Sequence, residues 1–576
     1  MALPTQSIVP GQLQDTFERE LQGFLRKRIV ERLWAKDVSL WPEELVSGDR
    51  ALADLTWLRL SQVLGPLLES VRRGEQSADA DGLPDTALLT FESANLCARA
   101  LLGFSGIALA RKFVVLDSTS PDVIQESEER LDLSRTLFVL ANKKSYGLKA
   151  HCLFLYFQDK LQAIEARRAS RHFVSETEPQ TFLATVSRGH MFRDILPDPL
   201  AIPPEYCSLL HFGAIFTAVG VAGPEQVLAA ANEMCLACTL SDPPAANPAL
   251  QLAAFLTSAA ESHRSYLAFL ASPSLMAYRR RLVQLIGGSM AREGPGLIPL
   301  MLDVPRDTQA FENETAFVLL TCSGDNDAEL AEIRSRFQSS GIPFLHIEIA
   351  QPFDLLPETF KWEIATILAC ARLGFDPFDV SDNRLPRAFT AEILEQFSQG
   401  HNPLQRSPRL TERLIQLYAD GMTRQEISTM NLVEALQSFL RVSTPGRHVS
   451  LLVNMTPTSE VNAAFSAIGR KLTETMKRPV LTAYGPHAAE HCVYFFRESL
   501  PYGPCILFTT DPLVDRAIPG ARYTFAELYL ALSLGEYDTL VHWEHPVIRL
   551  HLTHEFPAAL QQLVHVFEQS LHWFHP

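Results

Sequence analysis

The chain has 576 residues, of which 47% are hydrophobic, 9% aromatic and 20% charged, a balance that builds large buried cores and excludes disorder, collagen and a disulfide scaffold. Fifty Lys and Arg against 66 Asp and Glu leave a formal charge of -16, so no general field draws in nucleic acid or acidic lipid, and neither is expected as a partner. At roughly 100 to 200 residues per domain, more than one core is required.

The opening residues lack a basic stretch followed by an apolar core, so a cytoplasmic rather than a secreted protein is expected. The runs DTFERELQGFLRKRIVERLWAKD (15–37) and LTWLRLSQVLGPLLESVRR (55–73) repeat apolar positions three and four apart. They predict a helical N-terminal extension over 1–78. The polar run GEQSADADGLPD (74–85) reads as a break.

From there, short apolar runs alternate with helical segments. TALLTF, KFVVLDST, RTLFVLAN and TFLATVS read as strands, with SPDVIQESEERL as a helix among them. YLAFLAS, GLIPLML, TAFVLLTCS and PFLHIEIA repeat the pattern, and HVSLLVNM, RPVLTAYG and PCILFTT repeat it again. Such alternation predicts an α/β fold: two doubly wound parallel-sheet sandwiches behind the helical extension. The expected domains are 79–250, 251–442, and a C-terminal α/β segment, 443–576, completing the second; candidate linkers lie at 241–248, 400–409 and 443–448. The stretch from Tyr206 to Pro224 contains no Asp, Glu, Lys or Arg, but it carries His211, three Gly and a Thr. It reads as a buried helix and not a membrane span.

Nine scattered Cys form no framework and fit reduced thiols. Cys235 and Cys238 make a lone CxxC without a second pair or His to complete a zinc site, and read as helix-packing residues. His542, His545, His551, His554, His565, His572 and His575 crowd the C-terminus. His551 and His554, three apart in an alternating run, point to opposite faces of a strand, so no metal is expected. Phe567, Leu571, Trp573 and Phe574 form an apolar stripe that docks either on its own domain or on a partner. Nucleotide, flavin and pyridoxal phosphate motifs are absent, and no cofactor is expected.

In a doubly wound sheet, ligands bind beyond the carboxyl ends of the strands. After TALLTF comes Glu92-Ser93-Ala94-Asn95, with a carboxylate in the turn; after RTLFVLAN comes Lys143-Lys144-Ser145-Tyr146-Gly147, with two cations and a hydroxyl. The second turn is either a weak anion site or a solvated basic turn. Glu92, Ser93, Asn95, Lys143, Lys144 and Ser145 are the candidate substrate-binding residues.

The pieces ERLWAKDVSLW, VVLDSTSPDV, LSRTLFVLANKKS, LHFGAIFTAVGV, FLASPSLMAYRRRLVQLI, EGPGLIPL, GDNDAEL, FKWEIATILACARLGFDPFD, TAYGP and IPGARYTFAEL occur in this order from about Glu31 to about His551. Together they resemble the glucose-6-phosphate isomerase family, most nearly the form fused behind transaldolase in some bacteria. The resemblance implies two sugar-isomerase (SIS) domains, a homodimer and metal-free interconversion of glucose 6-phosphate and fructose 6-phosphate. It also implies where the active-site residues belong, and there the chain departs from the family. The glycine-rich GMGGSSL turn stands as Thr90 to Leu96, and the hydroxyl-rich SKSGTT loop as Asn142 to Gly147. The Arg of GGRYS falls on Glu205, the proton-transferring Glu on Gly288, and the Lys of QLHKGG near Arg497.

Isomerisation through an enediolate needs a carboxylate to move the proton and a cation to hold the developing oxyanion. Glycine at 288 offers no acceptor, and Glu205 reverses the charge. The expectation is therefore a degenerate, inactive homologue, serving as a structural, regulatory or ligand-binding subunit. It is expected as a homodimer, or as a hetero-oligomer with an active homologue or transaldolase, with a sugar phosphate as its possible ligand. Two alternatives stay open: an active isomerase whose site is rebuilt, with Glu293, Glu205 or Glu498 as displaced base, and a sensor of another sugar or sugar phosphate.

Overall fold

The computed structural model describes residues 4–41, 58, 60–91, 93–142, 147–197, 204–291, 294–302, 311–378, 384–401, 403, 406–421, 423–427, 430–442, 448–486, 503–553 and 556–572. The chain divides into two compact units: Met1–Asp117 with Ser127–Leu302 and Asn313–Val380, and Ser118–Glu126 with Asp303–Glu312 and Ser381–Pro576.

The first unit opens with strand β1 (Thr5–Val9) and helices Gln14–Arg26, Ile29–Trp34 and Leu60–Ala80. The last of these runs through the expected polar break, because Glu75 faces inward and pairs with Arg111 at 2.5 Å. Strands β2 (Asp85–Thr90), β3 (Phe113–Leu116), β4 (Thr136–Ala141), β5 (Phe173–Thr177) and β6 (Asp194–Pro197) follow. They form an all-parallel sheet in the order β3-β2-β4-β5-β6. Runs such as Phe113–Leu116 are buried throughout, as strands covered on both faces must be. TFLATVS is a correction: it is helix Phe182–Gly189, capped by Thr181 Oγ1 accepting from the Ala184 amide. The strand is β5 just before it, whose Phe173 stacks on Phe138.

The second sheet of this unit contains β7 (Tyr266–Ala271), β8 (Ile298–Met301), β9 (Thr315–Cys322) and β10 (Phe344–Ile349) in the order β1-β10-β9-β7-β8. Its strands are parallel except β1, which pairs antiparallel with β10 from Thr5↔Glu348 to Val9↔Phe344. The start of the expected helical extension is thus an edge strand, five residues long and too short to register as a period. Helix Leu355–Leu373 is buried from Leu355 through Cys370. Helices Ser208–Ala218, Pro224–Thr239, Pro248–Glu261 and Met276–Met290 all pack against it.

The second unit holds β11 (Leu410–Glu412), β12 (Ile415–Tyr418), β13 (Val449–Asn454), β14 (Val480–Tyr484), β15 (Cys505–Thr510) and β16 (Val547–Leu552). Its order is β11-β12-β16-β15-β13-β14, parallel from β14 to β16 and antiparallel beyond. Residues 443–576, expected to complete the second domain, instead build this six-stranded sheet with strands from 410–418. One edge of the second sheet is already taken by β1.

Val449, Leu451 and Val453 point to one face of the new sheet, into a core with Ile468, Leu563, Phe567 and Leu571. Leu452, Cys505, Leu507 and Val547 point to the other, against Tyr537 and Leu540 of helix Phe525–His542. Phe567 and Leu571 of the terminal stripe are therefore docked on their own unit, while Trp573 and Phe574 lie outside the described residues. Among the described residues, no helix is long and apolar enough to cross a membrane.

Helix Arg384–Ser398 crosses helix Phe525–His542 at Gly535. A Cβ there would collide with Thr390 Oγ1 and stand 3.0 Å from the Pro386 oxygen and 3.1 Å from the Thr390 nitrogen. Overpacking of this kind costs about 1–3 kcal/mol. Gly535→Ala is expected to lower the unfolding free energy of the second unit by that amount in urea titration, whereas Gly74→Ala, in the first unit and with a Cβ that meets nothing within 4 Å, is expected to leave the unfolding free energy of the first unit unchanged or raise it.

Candidate functional site

At the carboxyl edge of the first sheet lie two of the residues that the sequence nominated there, Ser93 and Asn95. β2 ends at Thr90, and the chain turns through Phe91 into helix Ser93–Leu102. Ser93 is fully buried, with its Oγ 3.2 Å from Nδ1 of His211 on helix Ser208–Ala218. Asn95 donates from Nδ2 to Asp117 Oδ2 at 3.4 Å, just beyond β3, and Asp117 is also paired with Arg99 at 2.8 Å. Where β4 ends, the Asn142 oxygen accepts from Thr177 Oγ1 at 2.9 Å.

Gly147, with φ of 70°, starts helix Leu148–Glu165. That left-handed backbone favours glycine. Two residues on, Lys149 brings Nζ to 4.9 Å from the Phe91 ring centre. Ser93 and Asn95 are thus brought together at this edge, while Glu92, Lys143, Lys144 and Ser145 lie outside the described residues.

His211, Lys149, Arg99 and Asp117 join them without having been selected from the sequence. His211 could have been suspected, because it is the one ionisable side chain in an otherwise apolar helix. Chemically the edge combines a hydroxyl, an amide, an imidazole and the N-terminal amides of a ten-residue helix. Asp117 takes up the charge of Arg99, and Lys149 lies on an aromatic face with only 8% exposure.

Of the other nominated residues, Glu205 and Gly288 are described, and both fall in the helical layer. Glu205 lies in the turn Pro204–Tyr206, and its main chain, not its carboxylate, meets a cation: the Glu205 oxygen accepts from the Arg281 guanidinium. Arg281 also donates to Ser208 Oγ and stands 3.4 Å from Glu363 Oε1. The Ser208 amide donates to the same oxygen at 3.0 Å. Arg281 and Glu363 are both completely buried. Gly288 is buried in helix Met276–Met290. Its neighbour Ser289 is held by the Tyr206 hydroxyl at 2.6 Å.

Burial pushes the Glu363 carboxyl up to about 7, against the attraction of Arg281 and the bonds from Ser208. Burial likewise pushes the Cys97 thiol beside this group up to about 12. Arg497, Glu293 and Glu498 lie outside the described residues.

Cys235 is half-buried and Cys238 buried on helix Pro224–Thr239, and burial pushes both thiols up. His551 bonds Thr509, His542 lies 6.1 Å from the Phe389 ring, and His545 is buried. Among the described residues, no group of three or more His, Cys, Asp or Glu is placed to hold a metal ion.

No family model matches the chain. No curated protein matches it by sequence. Solved structures do. A protein from Thermus thermophilus, described as hypothetical, is 17% identical, with 68% of this chain and 100% of that chain covered and a TM-score of 0.54. A glucose-6-phosphate isomerase from Chlamydia trachomatis is 14% identical over 64% of this chain and 78% of its own, with a TM-score of 0.46. A tagatose-6-phosphate ketose/aldose isomerase from Escherichia coli is 12% identical over 58% and 95%, with a TM-score of 0.32. At these identities only the fold is at issue, and the Thermus structure carries it: an α/β fold with parallel-sheet cores.

The buried pair makes two expectations. Arg281→Met leaves Glu363 without its counter-charge, a change that typically costs about 3–5 kcal/mol. Arg281→Met combined with Glu363→Leu is expected to recover most of that loss in chemical denaturation. The pH dependence follows from the raised pKa. A carboxyl whose folded value, about 7, lies above its ordinary 4.5 contributes its stability in full below pH 4.5 and loses it as pH rises through 7. The slope is at most about 1.4 kcal/mol per pH unit. Unfolding free energy measured from pH 5 to 8 is expected to fall, and Glu363→Gln to flatten that fall.

Proposed function

We propose that this chain is a glucose-6-phosphate-isomerase-like protein of sugar-phosphate metabolism that no longer isomerises sugar phosphates and works as a structural, regulatory or ligand-binding subunit. The observation that carries the reading is the fate of Arg281, the cation that meets the Glu205 turn among the described residues. Arg281 is fully buried, tied to Ser208 and to the Glu205 oxygen, and faces Glu363. A guanidinium so engaged has no charge to lend to an enediolate, because oxyanion stabilisation depends on donors aimed at the place where charge develops.

Gly288 presents no acceptor, and Glu363 has its Oε1 bound by Arg281 and Ser208. At the sheet edge, Ser93, Asn95, His211 and Lys149 keep a polar set able to contact a sugar phosphate, which favours retained binding over retained turnover. The resemblance to the isomerase family supplies the substrate class, and the Thermus fold match supports the architecture it requires.

Assembly as a homodimer, or with an active homologue or transaldolase, and a cytoplasmic location belong to the same proposal. Phe567 and Leu571 no longer argue for the partner surface, since both are buried in their own unit.

In a coupled assay with fructose 6-phosphate, the purified chain is expected to show no rate above the blank; turnover near about 1 per second, within the ordinary enzyme range, overturns the reading. Gly288→Glu alone is expected to leave the rate at the blank, because the cation is still committed. Light scattering on the gel-filtration peak is expected to give at least a dimer, and a monomer that retains neither an active homologue nor transaldolase removes the assembly part.

A further inference from the structure

At the carboxyl edge of the second unit's sheet, four neighbouring strands set hydrogen-bonding side chains in one row. Asn454 of β13 is in register with Thr509 of β15, Thr509 with His551 of β16, and His551 with Gln416 of β12. The row lies on the face covered by helix Phe525–His542. Asn454 stands two residues beyond Leu452, and Thr509 two beyond Leu507, both of which pack against that helix. On the opposite face the corresponding positions, Val453, Phe508 and Leu550, are apolar core.

The middle of the row is linked as a chain, and its two ends have partners of their own. Arg549, one pleat below, donates from its guanidinium to Thr509 Oγ1 at 3.3 Å. Thr509 Oγ1 is 3.1 Å from His551 Nδ1, and His551 Nε2 is 3.5 Å from Asp511. Asn454 Nδ2 donates to Glu536 Oε2 at 2.8 Å, and the Tyr418 hydroxyl donates to Gln416 at 2.7 Å.

Two features of this edge have no account in the fold itself. Arg549 is 1% exposed, yet among the described residues no carboxylate lies within ion-pair distance of it. Its guanidinium rests 3.8 Å from the Tyr418 ring centre, and its Nε has no hydrogen-bond partner. Asn454 is equally buried, and its Oδ1 also lacks a partner. Burying a charge or a polar atom unpaired is costly.

Both lie beside the point where the strand order reverses. From β13 the chain goes to β14 on one side and then to β15 on the other, and such switch points are where doubly wound sheets hold ligands.

We propose that this edge is a second ligand site that takes a phosphorylated polyol, its phosphate meeting Arg549, Thr509 and His551 and its hydroxyls meeting Asn454, Glu536 and Asp511. The mixed charge selects the class. The arginine, threonine and imidazole suit a phosphate oxygen. Glu536 and Asp511 repel an anion that brings no hydroxyl donors, and a neutral sugar leaves Arg549 unpaired. Entry lies where Gln416, at one end of the row, and Asp511, just beyond β15, are partly exposed, and binding requires Arg549 to leave its stack on Tyr418. The site goes beyond the loss of isomerase activity and stands whether or not the first unit turns over substrate.

The test uses the full chain with three probes: glucose 6-phosphate, inorganic phosphate and glucose. Calorimetry is expected to show glucose 6-phosphate binding at least tenfold more tightly than either of the others. Hydrogen exchange with bound glucose 6-phosphate is expected to slow in peptides covering 449–459, 505–511 and 547–552. Arg549→Lys, and Asn454→Leu as a variant that removes no charge, are each expected to weaken binding at least tenfold, with folding checked by circular dichroism. Thr509→Val serves if Arg549→Lys does not fold. No binding at 10 mM, protection confined to 85–102 and 147–165, or unchanged affinity in the folded variants overturns the proposal.

Discussion

Inside the first unit, the charged side chains of Arg281, Glu358, Lys361 and Glu363, on two neighbouring helices, are each no more than 1% exposed, and the need to pair them constrains everything packed around them. Glu358 and Lys361 satisfy each other along one helix at 2.7 Å. Arg281 and Glu363 do so between helices Met276–Met290 and Leu355–Leu373, with the Ser208 amide as a third party. A slide of one helix past the other by a single residue would leave two unpaired charges in a medium where each costs several kcal/mol. The pair therefore acts as a register pin among three helices, and the apolar contacts of Trp362 and Phe269 are made within the geometry it sets.

That pin also decides the chemistry of the interior. The Arg281 guanidinium and the Glu363 carboxylate are locked to each other and sealed from solvent. The same residue types serve opposite ends according to exposure: open and unpaired they stabilise transition states, and buried and paired they hold helices. Polar groups that could still meet a ligand lie at the sheet edges instead. In the first unit these are Ser93, Asn95 and His211, and in the second Asn454, Thr509 and His551, in both cases beyond the carboxyl ends of parallel strands.

Much of the fold was legible because buried parallel strands are written as uninterrupted apolar runs. TALLTF, RTLFVLAN, TAFVLLTCS, HVSLLVNM and PCILFTT each contain a strand at the expected place. Strands were missed where that signature fails: β1 and β11 are edge strands of five and three residues, β6 and β12 are only four residues long, and β5 is interrupted by Ser175 and Glu176. TFLATVS carries the same apolar density as a strand, and only the Thr181 cap at its start marks it as a helix. Of the site, Ser93 and Asn95 could be nominated because they follow a readable strand. Lys149 and Arg281 could not, since each acts through a neighbour far away in sequence.

Composition, periodicity and turn chemistry determined that this protein is α/β, with parallel sheets and helices on both faces, because those properties depend on residues within a few positions of one another. Which strands share a sheet was decided only by tertiary structure: β1 closes the edge of β10 more than three hundred residues away, and the C-terminal strands pair among themselves. The state of each charge was decided there too. A sequence shows that Arg281, Glu363 and Arg549 are ionisable, but desolvation and the distance to a counter-charge govern whether such a group pins a helix or stays unpaired, and both are properties of the packed chain.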